Sequence, residues 1–568
     1  MFDTLPTHYQ DAFDWDWEQW HPYFETLNNT VVTEDNVVRW LQDCDTLKRL
    51  VYEVRTRLYV ATNVDTTDDD ADARLKNFMR KVNPHVQQQF SLLDKKLVAS
   101  GAAPDAIKVP LRNIEASLKI FTDDNLALQT RLSELQTAYN KLSGARTVEW
   151  EGEDVPIAQL RKVLQSPDRD LRKKAFFTMN ERLRQDREAV NTIWEEMVDL
   201  RQQLATNAGL DNYRQYAWLN KNRHDYSPEE ALEFTEAVAE VAVPADTRRM
   251  EKIRTALAYD TFYAWDTNAN PDGAEPLKAY DEIEELIETT ASIFQQIDPD
   301  LGAQFGIMQA EGLLDLDNRK GKAPGGYMTY FAQAERPFIF MNATGLAGDI
   351  TVLLHEGGHA FHGFATQHVE FTAQRDVPSE FAEVAAMAME LLAFPYLTKD
   401  KGGFFDDADA ARYKIDHLNR IIRLLPSIAM IVEFQHWVYT HLDAARNTEN
   451  CDNKWFAIHQ KYRPHIDITG YEDDIAGSWR QVIHLFSYPF YYIEYGLAQL
   501  GAIQVWANAK ENQATALAAY REALALGGTV TLPELYAAAG AKLAFDAETM
   551  GAAIALVEVS LKEFETSQ

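Results

Sequence analysis

Residues 353–365, LLHEGGHAFHGFA, place two histidines and a glutamate at a spacing that suits metal chemistry. On a helix, His355 and His359 are four residues apart and lie on one face, so both imidazoles can bind a single tetrahedral Zn²⁺. Glu356 then lies beside the metal without binding it, and its carboxylate can take a proton from the attacking water and pass it to a leaving amine. The pattern H-E-x-x-H therefore predicts a zinc site that hydrolyses peptide bonds.

A five-residue pattern can also arise by chance. With 14 histidines and 87 acidic residues in the chain, roughly 0.05 accidental matches to H-[DE]-x-x-H are expected. The apolar residues on both sides of the motif favour a helix, and Gly357 and Gly358 indicate close packing against another element. The context thus favours a functional motif over an accident.

A catalytic zinc takes three protein ligands and keeps a fourth position open, so one ligand is missing from the motif. The metzincin arrangement requires Gly at position 362 and His at position 365, whereas this chain has His362 and Ala365. That class is excluded. A carboxylate from a second helix remains as the source of the third ligand.

Residues 378–394, PSEFAEVAAMAMELLAF, predict a largely buried second helix that carries three acids. Carboxylates are rarely buried unless they are paired or bound to a metal. Glu380 also suits a helix N-terminus, where negative charge is favourable, whereas Glu383 and Glu390 lie seven apart on one face. The residues alone leave the third ligand open among these acids.

Residues 484–495, HLFSYPFYYIEY, crowd four tyrosines beside a histidine. Peptide hydrolysis builds negative charge on the scissile carbonyl, and a preorganised O–H donor opposite the metal stabilises that charge. Tyr488 and Tyr495 are seven residues apart and can present hydroxyls to one side, so we expect them to act with His484. Tyr491 and Tyr492 fit an aromatic core cluster better.

Two further segments upstream of the motif concern substrate binding. Residues 319–330, RKGKAPGGYMTY, are rich in glycine and basic residues and predict a loop that reaches over a cleft, without the order of a phosphate-binding P-loop. Residues 336–342, RPFIFMN, predict a short strand. An edge strand beside a zinc site can pair with an extended peptide, although an ordinary hairpin packed on the metal helix is equally compatible.

Four motifs together resemble those of the M3 zinc metallopeptidases, the group of thimet oligopeptidase and oligoendopeptidase F. They are HEGGHAFH at 355–362, the E-x₆-E pair Glu383 and Glu390, RKGKAPGGY at 319–327 and HLFSYPFYYIEY at 484–495. They span the C-terminal half in the order that the family has, and the chain is most similar to the oligoendopeptidase F branch. The resemblance implies a zinc-dependent endopeptidase that cuts short peptides internally, in a deep channel that excludes folded proteins.

The same resemblance implies roles for individual residues. Glu383 is expected to be the third ligand of one Zn²⁺ per chain, with Glu380 as the fallback. A histidine followed by two tyrosines seven apart binds substrate and the transition state in the family, which corresponds to His484, Tyr488 and Tyr495 here. The spacing after His484 differs by one residue from the thimet pattern.

Two alternatives share the zinc motif. A peptidyl-dipeptidase or carboxypeptidase of a related zincin type has the same H-E-x-x-H and downstream glutamate, and the zinc site alone does not exclude it. A non-catalytic peptide-binding protein with structural zinc is also compatible with the motif. Structural zinc sites, however, are normally closed by four protein ligands, often cysteines, and no cysteine lies near this motif.

The rest of the chain predicts a mainly α, two-lobed helical metallopeptidase with a small β-sheet near the site. Its 568 residues are 46% hydrophobic, enough for a sizeable core. Strand patterns are confined to Thr147–Glu151 and Phe338–Met341, and a soft boundary near residue 200 separates an N-terminal lobe, 1–200, from a catalytic lobe, 201–568. Long helical patterns occur at 74–98, 111–143, 168–206 and 227–258.

Composition limits location and partners. The formal net charge of −32 argues against nucleic acid or an anionic membrane as partner, although it could draw in basic peptides. Cys44 and Cys451 are too few for a disulfide framework, and neither a secretory signal nor a long apolar run is evident. We expect a soluble cytoplasmic protein that acts on peptides. The sequence does not encode its oligomeric state or side-chain preference.

Overall fold

The computed structural model describes residues 2–270, 273 and 275–566, and most of these residues are helical. The helices before residue 210 are α1 (Trp17–Asn29), α2 (Val37–Val64), α3 (Asp69–Asn77), α4 (Asn83–Ser100), α5 (Lys108–Ile120), α6 (Asp123–Gly144), α7 (Leu160–Val163), α8 (Arg169–Gln185) and α9 (Arg187–Asn207). The next helices, up to the motif, are α10 (Tyr213–Asn220), α11 (Pro228–Ala237), α12 (Val243–Ala256), α13 (Ile283–Ile297), α14 (Pro299–Ala310) and α15 (Ala347–Ala365). The remaining helices are α16 (Ser379–Leu392), α17 (Asp407–Thr440), α18 (Leu442–Ala445), α19 (Thr448–Tyr462), α20 (Glu472–Ala476), α21 (Ile483–Ser487), α22 (Tyr492–Glu511), α23 (Gln513–Leu526), α24 (Leu532–Ala538) and α25 (Ala547–Thr566).

The predicted helical regions are present, but the longer patterns are interrupted. The pattern at 111–143 divides into α5 and α6, because Phe121 and Thr122 have extended backbone and end one helix before the next begins. Asp123 and Asp124 then supply negative charge in the first turn of α6, where it favours a new helix start. The mainly α fold class is confirmed, and helix periodicity did not reveal the breaks.

The described residues form two small sheets. β1 (Thr147–Trp150) and β2 (Glu153–Pro156) make an antiparallel hairpin far from the motif in sequence. The other sheet has the order β3-β5-β4, in which β5 (Arg336–Ala343) runs parallel to β3 (Leu314–Asp317) and antiparallel to β4 (Tyr327–Phe331).

This order corrects the prediction of an edge strand at 336–342. That segment is a strand, but β5 is the central one and pairs on both sides, so it cannot add a peptide. The unpaired edge next to the motif belongs to β4, whose residues 327–330 had been expected in a loop. Strand pairing depends on residues distant in sequence, which explains why the pattern of β5 alone did not reveal its neighbours.

The core has two main parts. Buried residues between 5 and 107, from α1, α2 and α4, form an N-terminal core that Phe371 joins from the catalytic region. The larger core extends from Val60 to Leu561 and includes the buried faces of α15, α16, α17 and α22. Residue 200 lies inside α9 and the larger core has members on both sides of it, so the division into lobes there stays a prediction.

Helix α17 is a long core helix that packs against the helices around the motif. By length and composition it is the one helix in the described part of the chain that could cross a membrane, yet 72% of its most apolar window is buried inside the protein. It packs on α11, α19, α22 and α25. Its apolar character is that of a core helix.

Candidate active site

The start of α15 is fixed by one carboxylate. Asp349, in the first turn, accepts hydrogen bonds from the Tyr280 hydroxyl at 2.6 Å and from the backbone N–H groups of Thr344 at 2.6 Å and Leu346 at 3.1 Å. These bonds satisfy donors just before the helix and place negative charge at its N-terminus. They tie the metal helix to the end of β5, so the motif is held rigidly against the sheet.

The two glycines of the motif allow a close crossing of helices. A Cβ atom on Gly358 would lie 2.6 Å from the carbonyl oxygen of Ala385 and 2.6 Å from Cα of Ala386, both on α16. A Cβ atom on Gly357 would lie 2.5 Å from the ring of Phe294. The close packing predicted for these glycines is therefore confirmed, and it brings α16 near enough to share a site with α15.

His355, His359 and Glu383 are brought together at this crossing, and their donor atoms all lie within 4.8 Å of one another. Nε2 of His355 is 3.4 Å from Oε2 of Glu383. Ligands at about 2.0–2.1 Å from a tetrahedral centre lie about 3.3–3.4 Å apart. Oε2 of Glu383 is also buried without a hydrogen-bond partner in the described structure. The donor types, the spacing and this unpartnered oxygen all fit a zinc ion.

Glu380, the fallback ligand, is engaged elsewhere. Its Oε1 accepts a hydrogen bond from the Tyr226 hydroxyl at 2.6 Å and lies 3.4 Å from Nε of Arg223. Arg223 in turn donates to Oε1 of Glu494 at 2.6 Å. The burial of Glu380 is thus explained by a network with Arg223, and not by a metal.

Glu390, the second acid of the E-x₆-E pair, supports the site from outside the donor cluster. Its Oε1 lies 2.7 Å from Nδ1 of His355, and its Oε2 lies 3.5 Å from Nε2 of His417 on α17. A carboxylate at Nδ1 fixes the imidazole tautomer and leaves the Nε2 lone pair free for a metal. Sequence reasoning did not assign this role, although the seven-residue spacing from Glu383 was the available signal.

Electrostatics at the cluster favour a cation. Burial works against a charged His355, but the carboxylates of Glu383 and Glu390 outweigh it and raise the pKa of His355 well above its usual value. Burial lowers the pKa of His359 to about 4, so this imidazole is neutral and can act as a ligand at neutral pH. Burial also raises the pKa of Glu356 to about 7, within the range that suits a general base and acid.

The free edge of β4 lies beside the motif. The backbone of Met328 forms a hydrogen bond with Glu356. This bond lowers the pKa of Glu356, but burial raises it by more. Two residues further along β4, the ring of Tyr330 lies 3.1 Å from the position that a Cβ atom on Gly363 of α15 would take. The strand edge is therefore adjacent to both Glu356 and the metal helix.

The glycine-rich segment before β4, which was predicted to be a loop over a cleft, is anchored to the protein by its basic residues. Lys322 donates to Oδ1 of Asp315 at 2.9 Å and to the carbonyl oxygen of Met341 at 2.6 Å. Arg319 binds Asp315 and also the carbonyl oxygen of Val64 at 3.0 Å. Arg319 joins the sheet to the end of α2, and the buried Lys322 joins Asp315 to the end of β5, so both charges are paired with an acid and anchor the segment.

The tyrosine-rich segment surrounds His484. The ring centroids of Tyr488 and Tyr495 lie 5.7 and 6.5 Å from that of His484, and Tyr492 is closer, at 4.4 Å. Tyr488 precedes α22 and Tyr495 lies within it, so the two do not share one helix face as expected. The turn between them contains Phe490 with φ of 61°, a conformation that rotates the chain.

Tyr491 has the most direct contact with the donor cluster. Its hydroxyl donates to Oε1 of Glu383 at 3.3 Å, which leaves Oε2 of that carboxylate towards His355. Tyr491 had been read as part of an aromatic core. Its position immediately before α22 was the one available signal, since a residue at a helix start can turn away from the core. Burial raises the pKa of Tyr495 to about 12, so its hydroxyl remains a donor.

Side chains from several helices hold the segment that carries these tyrosines. Arg201 on α9 donates to the carbonyl oxygen of Leu485 at 2.8 Å, and Gln136 on α6 donates to that of Ser487 at 2.7 Å. Arg223 donates to the carbonyl oxygen of Phe490 at 2.5 Å. The bonds satisfy carbonyl oxygens at the end of α21 and in the turn before α22, and they hold Tyr491 beside Glu383 of α16.

Comparisons with known proteins agree with this geometry. The family model described as Peptidase family M3 matches residues 162–553. No curated protein matches the sequence. Among solved structures, PZ peptidase A with an inhibitor is 27% identical with a TM-score of 0.86, and the alignment covers 100% of both chains.

Two structures of oligoendopeptidase F proteins are also similar. A putative oligoendopeptidase F is 25% identical with a TM-score of 0.85 and coverage of 99% and 98% of the two chains. A putative oligoendopeptidase F from Bacillus anthracis is 25% identical with a TM-score of 0.82 and coverage of 98% and 97%. The family match spans more than half of the chain and contains the whole donor cluster. The chain therefore belongs to peptidase family M3, and the protein is a metallopeptidase of helical zincin type.

Proposed function

We propose that the protein is a zinc-dependent endopeptidase that hydrolyses internal bonds of short oligopeptides. The observation that carries the proposal is the unpartnered Oε2 of Glu383, 3.4 Å from Nε2 of His355, beside a glutamate at the second position of H-E-x-x-H. His355, His359 and Glu383 would hold one zinc ion, and Glu356 would not be a ligand. When bound, zinc would polarise the scissile carbonyl and acidify the attacking water.

Glu356 is the proposed proton carrier. As a carboxylate it takes the proton of the attacking water, and as a carboxylic acid it delivers that proton to the nitrogen of the leaving amine. No covalent bond between the substrate and the protein forms in these steps. Burial raises the pKa of Glu356 to about 7, which makes its carboxylate a stronger base towards the attacking water than an exposed carboxylate and lets both protonation states be populated near neutral pH.

The tyrosine-rich segment supplies the proposed donors to the carbonyl oxygen. Tyr488 and Tyr495 both lie next to His484, and Tyr495 is near enough to Glu383 for that carboxylate to raise its pKa; the three side chains would donate hydrogen bonds to the developing negative charge. Tyr491 would serve differently, because its hydroxyl already binds Glu383. It would orient the third ligand.

The free edge of β4 is the proposed site for the substrate backbone. An extended peptide can form main-chain hydrogen bonds along Tyr327–Phe331, which gives affinity that does not depend on side chains. This arrangement suits short, flexible peptides, because a folded protein has no free extended segment to add to the edge.

Product analysis distinguishes the candidate activities. A mixed library of peptides with known sequences is incubated with zinc-loaded enzyme, and the products are identified by mass spectrometry. Cuts within the peptides support the endopeptidase, whereas serial release of dipeptides from the C-terminus would support the peptidyl-dipeptidase. Zinc that binds stoichiometrically without any cleavage would favour the peptide-binding protein, and cleavage that survives complete metal removal would contradict all three.

Location is a separate proposal. We infer a cytoplasmic protein without nucleic-acid or membrane partners from the net charge of −32 and the two cysteines, which are both free. Cell fractionation with an antibody against the chain tests this. Recovery in the membrane pellet would contradict it.

A further inference from the structure

A cavity next to the donor cluster is lined by apolar and polar side chains, most of which have no role in the proposed mechanism. It has a volume of about 230 Å³, and His355 and Glu356 form part of its wall. A single buried water needs about 10–15 Å³, so the space can admit a side chain or a chain end. Most of the exposed lining is apolar, from Val352, Met387, Ile421 and Leu424.

An arginine, Arg420, lies among these apolar residues. Arg420 lies on α17. It shares one face of this helix with His417, Ile421 and Leu424, and all four side chains line the cavity. The arginine is exposed to the cavity, and no hydrogen bond or ion pair joins its guanidinium to another described residue.

Two acids, Glu356 and Glu390, share the cavity wall with this arginine. Glu390 directs one oxygen to His355 at 2.7 Å and the other to His417 at 3.5 Å. By contrast, Arg423 on the same helix donates to the side chain of Asn268 at 2.8 Å, outside the cavity. Arg420 lies near enough to Glu390 to lower the pKa of that carboxyl, but no hydrogen bond or ion pair joins the two side chains among the described residues, so the guanidinium donors are free to bind a ligand.

The geometry points to a substrate subsite in which Arg420 binds a carboxylate of the peptide next to the bond that is cut. This inference rests on the proposed endopeptidase function and adds a selectivity to it. The planar guanidinium can bind a carboxylate through two parallel hydrogen bonds, and the apolar walls can contact the rest of the peptide. The carboxylate comes from the C-terminus of the peptide or from an Asp or Glu side chain.

Matched peptides test the subsite. A neutral peptide that the wild type cuts is made with Glu in place of Gln at each of the two positions on either side of the cut, and with a free or amidated C-terminus. We expect the ratio of kcat/KM for the acidic over the neutral peptide to fall about 10- to 100-fold in Arg420→Met, as for loss of a charged hydrogen-bond pair. Arg420→Lys should retain part of the ratio, because it keeps the charge but not the paired geometry.

The matched control is Arg412→Met. Arg412 is on the same helix, carries the same charge, binds the carbonyl oxygen of Glu275 and does not line the cavity. It should keep the wild-type ratio, and the zinc content of both variants is measured to exclude damage to the metal site. A loss restricted to peptides with a free C-terminus assigns the subsite to the chain end, and a loss restricted to Glu assigns it to a side chain.

Two results would overturn the inference. They are the absence of any preference for a carboxylate in the wild type, and an unchanged ratio in Arg420→Met. Failure of the endopeptidase function looks different, because then the zinc-loaded wild type would cut none of the peptides, the neutral one included.

Discussion

Nδ1 of His355 lies 2.7 Å from Oε1 of Glu390, on the side of the ring opposite to the donor cluster. The pair joins the metal helix to α16, and the other oxygen of Glu390 lies near His417 on α17. Three helices therefore meet at one carboxylate. The orientation of His355, a proposed zinc ligand, depends on a carboxylate outside the donor cluster.

Glu390→Gln should weaken zinc binding about 10- to 100-fold, as loss of an outer carboxylate typically does. The amide keeps the shape of the side chain but removes the charge that holds Nδ1–H. Zinc affinity is measured by competition with a chelator. Activity should recover at saturating zinc, and unchanged affinity would contradict the orienting role.

Glu356→Gln should keep zinc and lose roughly two to four orders of magnitude in kcat, since the amide cannot accept a proton. Metal content is measured by elemental analysis alongside peptide turnover. The control is Glu433→Gln, which changes a glutamate of α17 that pairs with Lys454 and Lys461 outside the site. Near-normal turnover in Glu356→Gln would rule out the proposed proton carrier.

Zinc affinity should rise with pH. The carboxylates of Glu383 and Glu390 raise the pKa of His355 well above its usual value, so the metal-free protein holds a proton on that ring at neutral pH. Zinc needs the neutral ring and must displace this proton, so affinity should increase by up to about tenfold per pH unit over the range in which the ring is protonated. Binding is measured in buffered chelator solutions at several pH values. Glu390→Gln should flatten the dependence, and a flat profile in the wild type would refute the assignment.

Gly358→Ala should destabilise the fold by about 1–3 kcal/mol, the usual cost of overpacking a core. The new methyl group would meet backbone atoms of α16, which cannot rotate away. Thermal unfolding measures the effect. Gly551→Ala is the matched control, because that helical glycine has nothing within 4 Å of the added atom, and alanine there should stabilise slightly.

The sequence was most informative where the chemistry is local. The spacing of His355, Glu356 and His359 depends only on helix geometry, and the glycines indicated a close contact without naming the partner. The role of Glu390 needed knowledge of which face of α16 meets α15. Tyr491 was misread because it lies at a turn, where periodicity carries no information.

Features formed by distant segments were beyond sequence reasoning. The residues of β5 read correctly as a strand, but the identity of the edge depends on β3 and β4, which pair with it from elsewhere in the chain. Arg420 had no signal of its own, since an arginine in a helix is usually solvated or paired. Its place in a cavity wall with His355 and Glu356 is visible only in the folded structure.

The position of β4 at the edge of its sheet has a consequence for the pattern of products. Backbone pairing along a strand repeats every two residues, and a shift by one residue turns each side chain to the opposite face. A peptide without strong side-chain preference can therefore slide along Tyr327–Phe331 in steps of two and keep the same face towards Glu356. Where a flexible substrate is cut at more than one bond, the alternative cuts should be separated by an even number of residues. A ladder of products with single-residue steps would mean that β4 does not set the register.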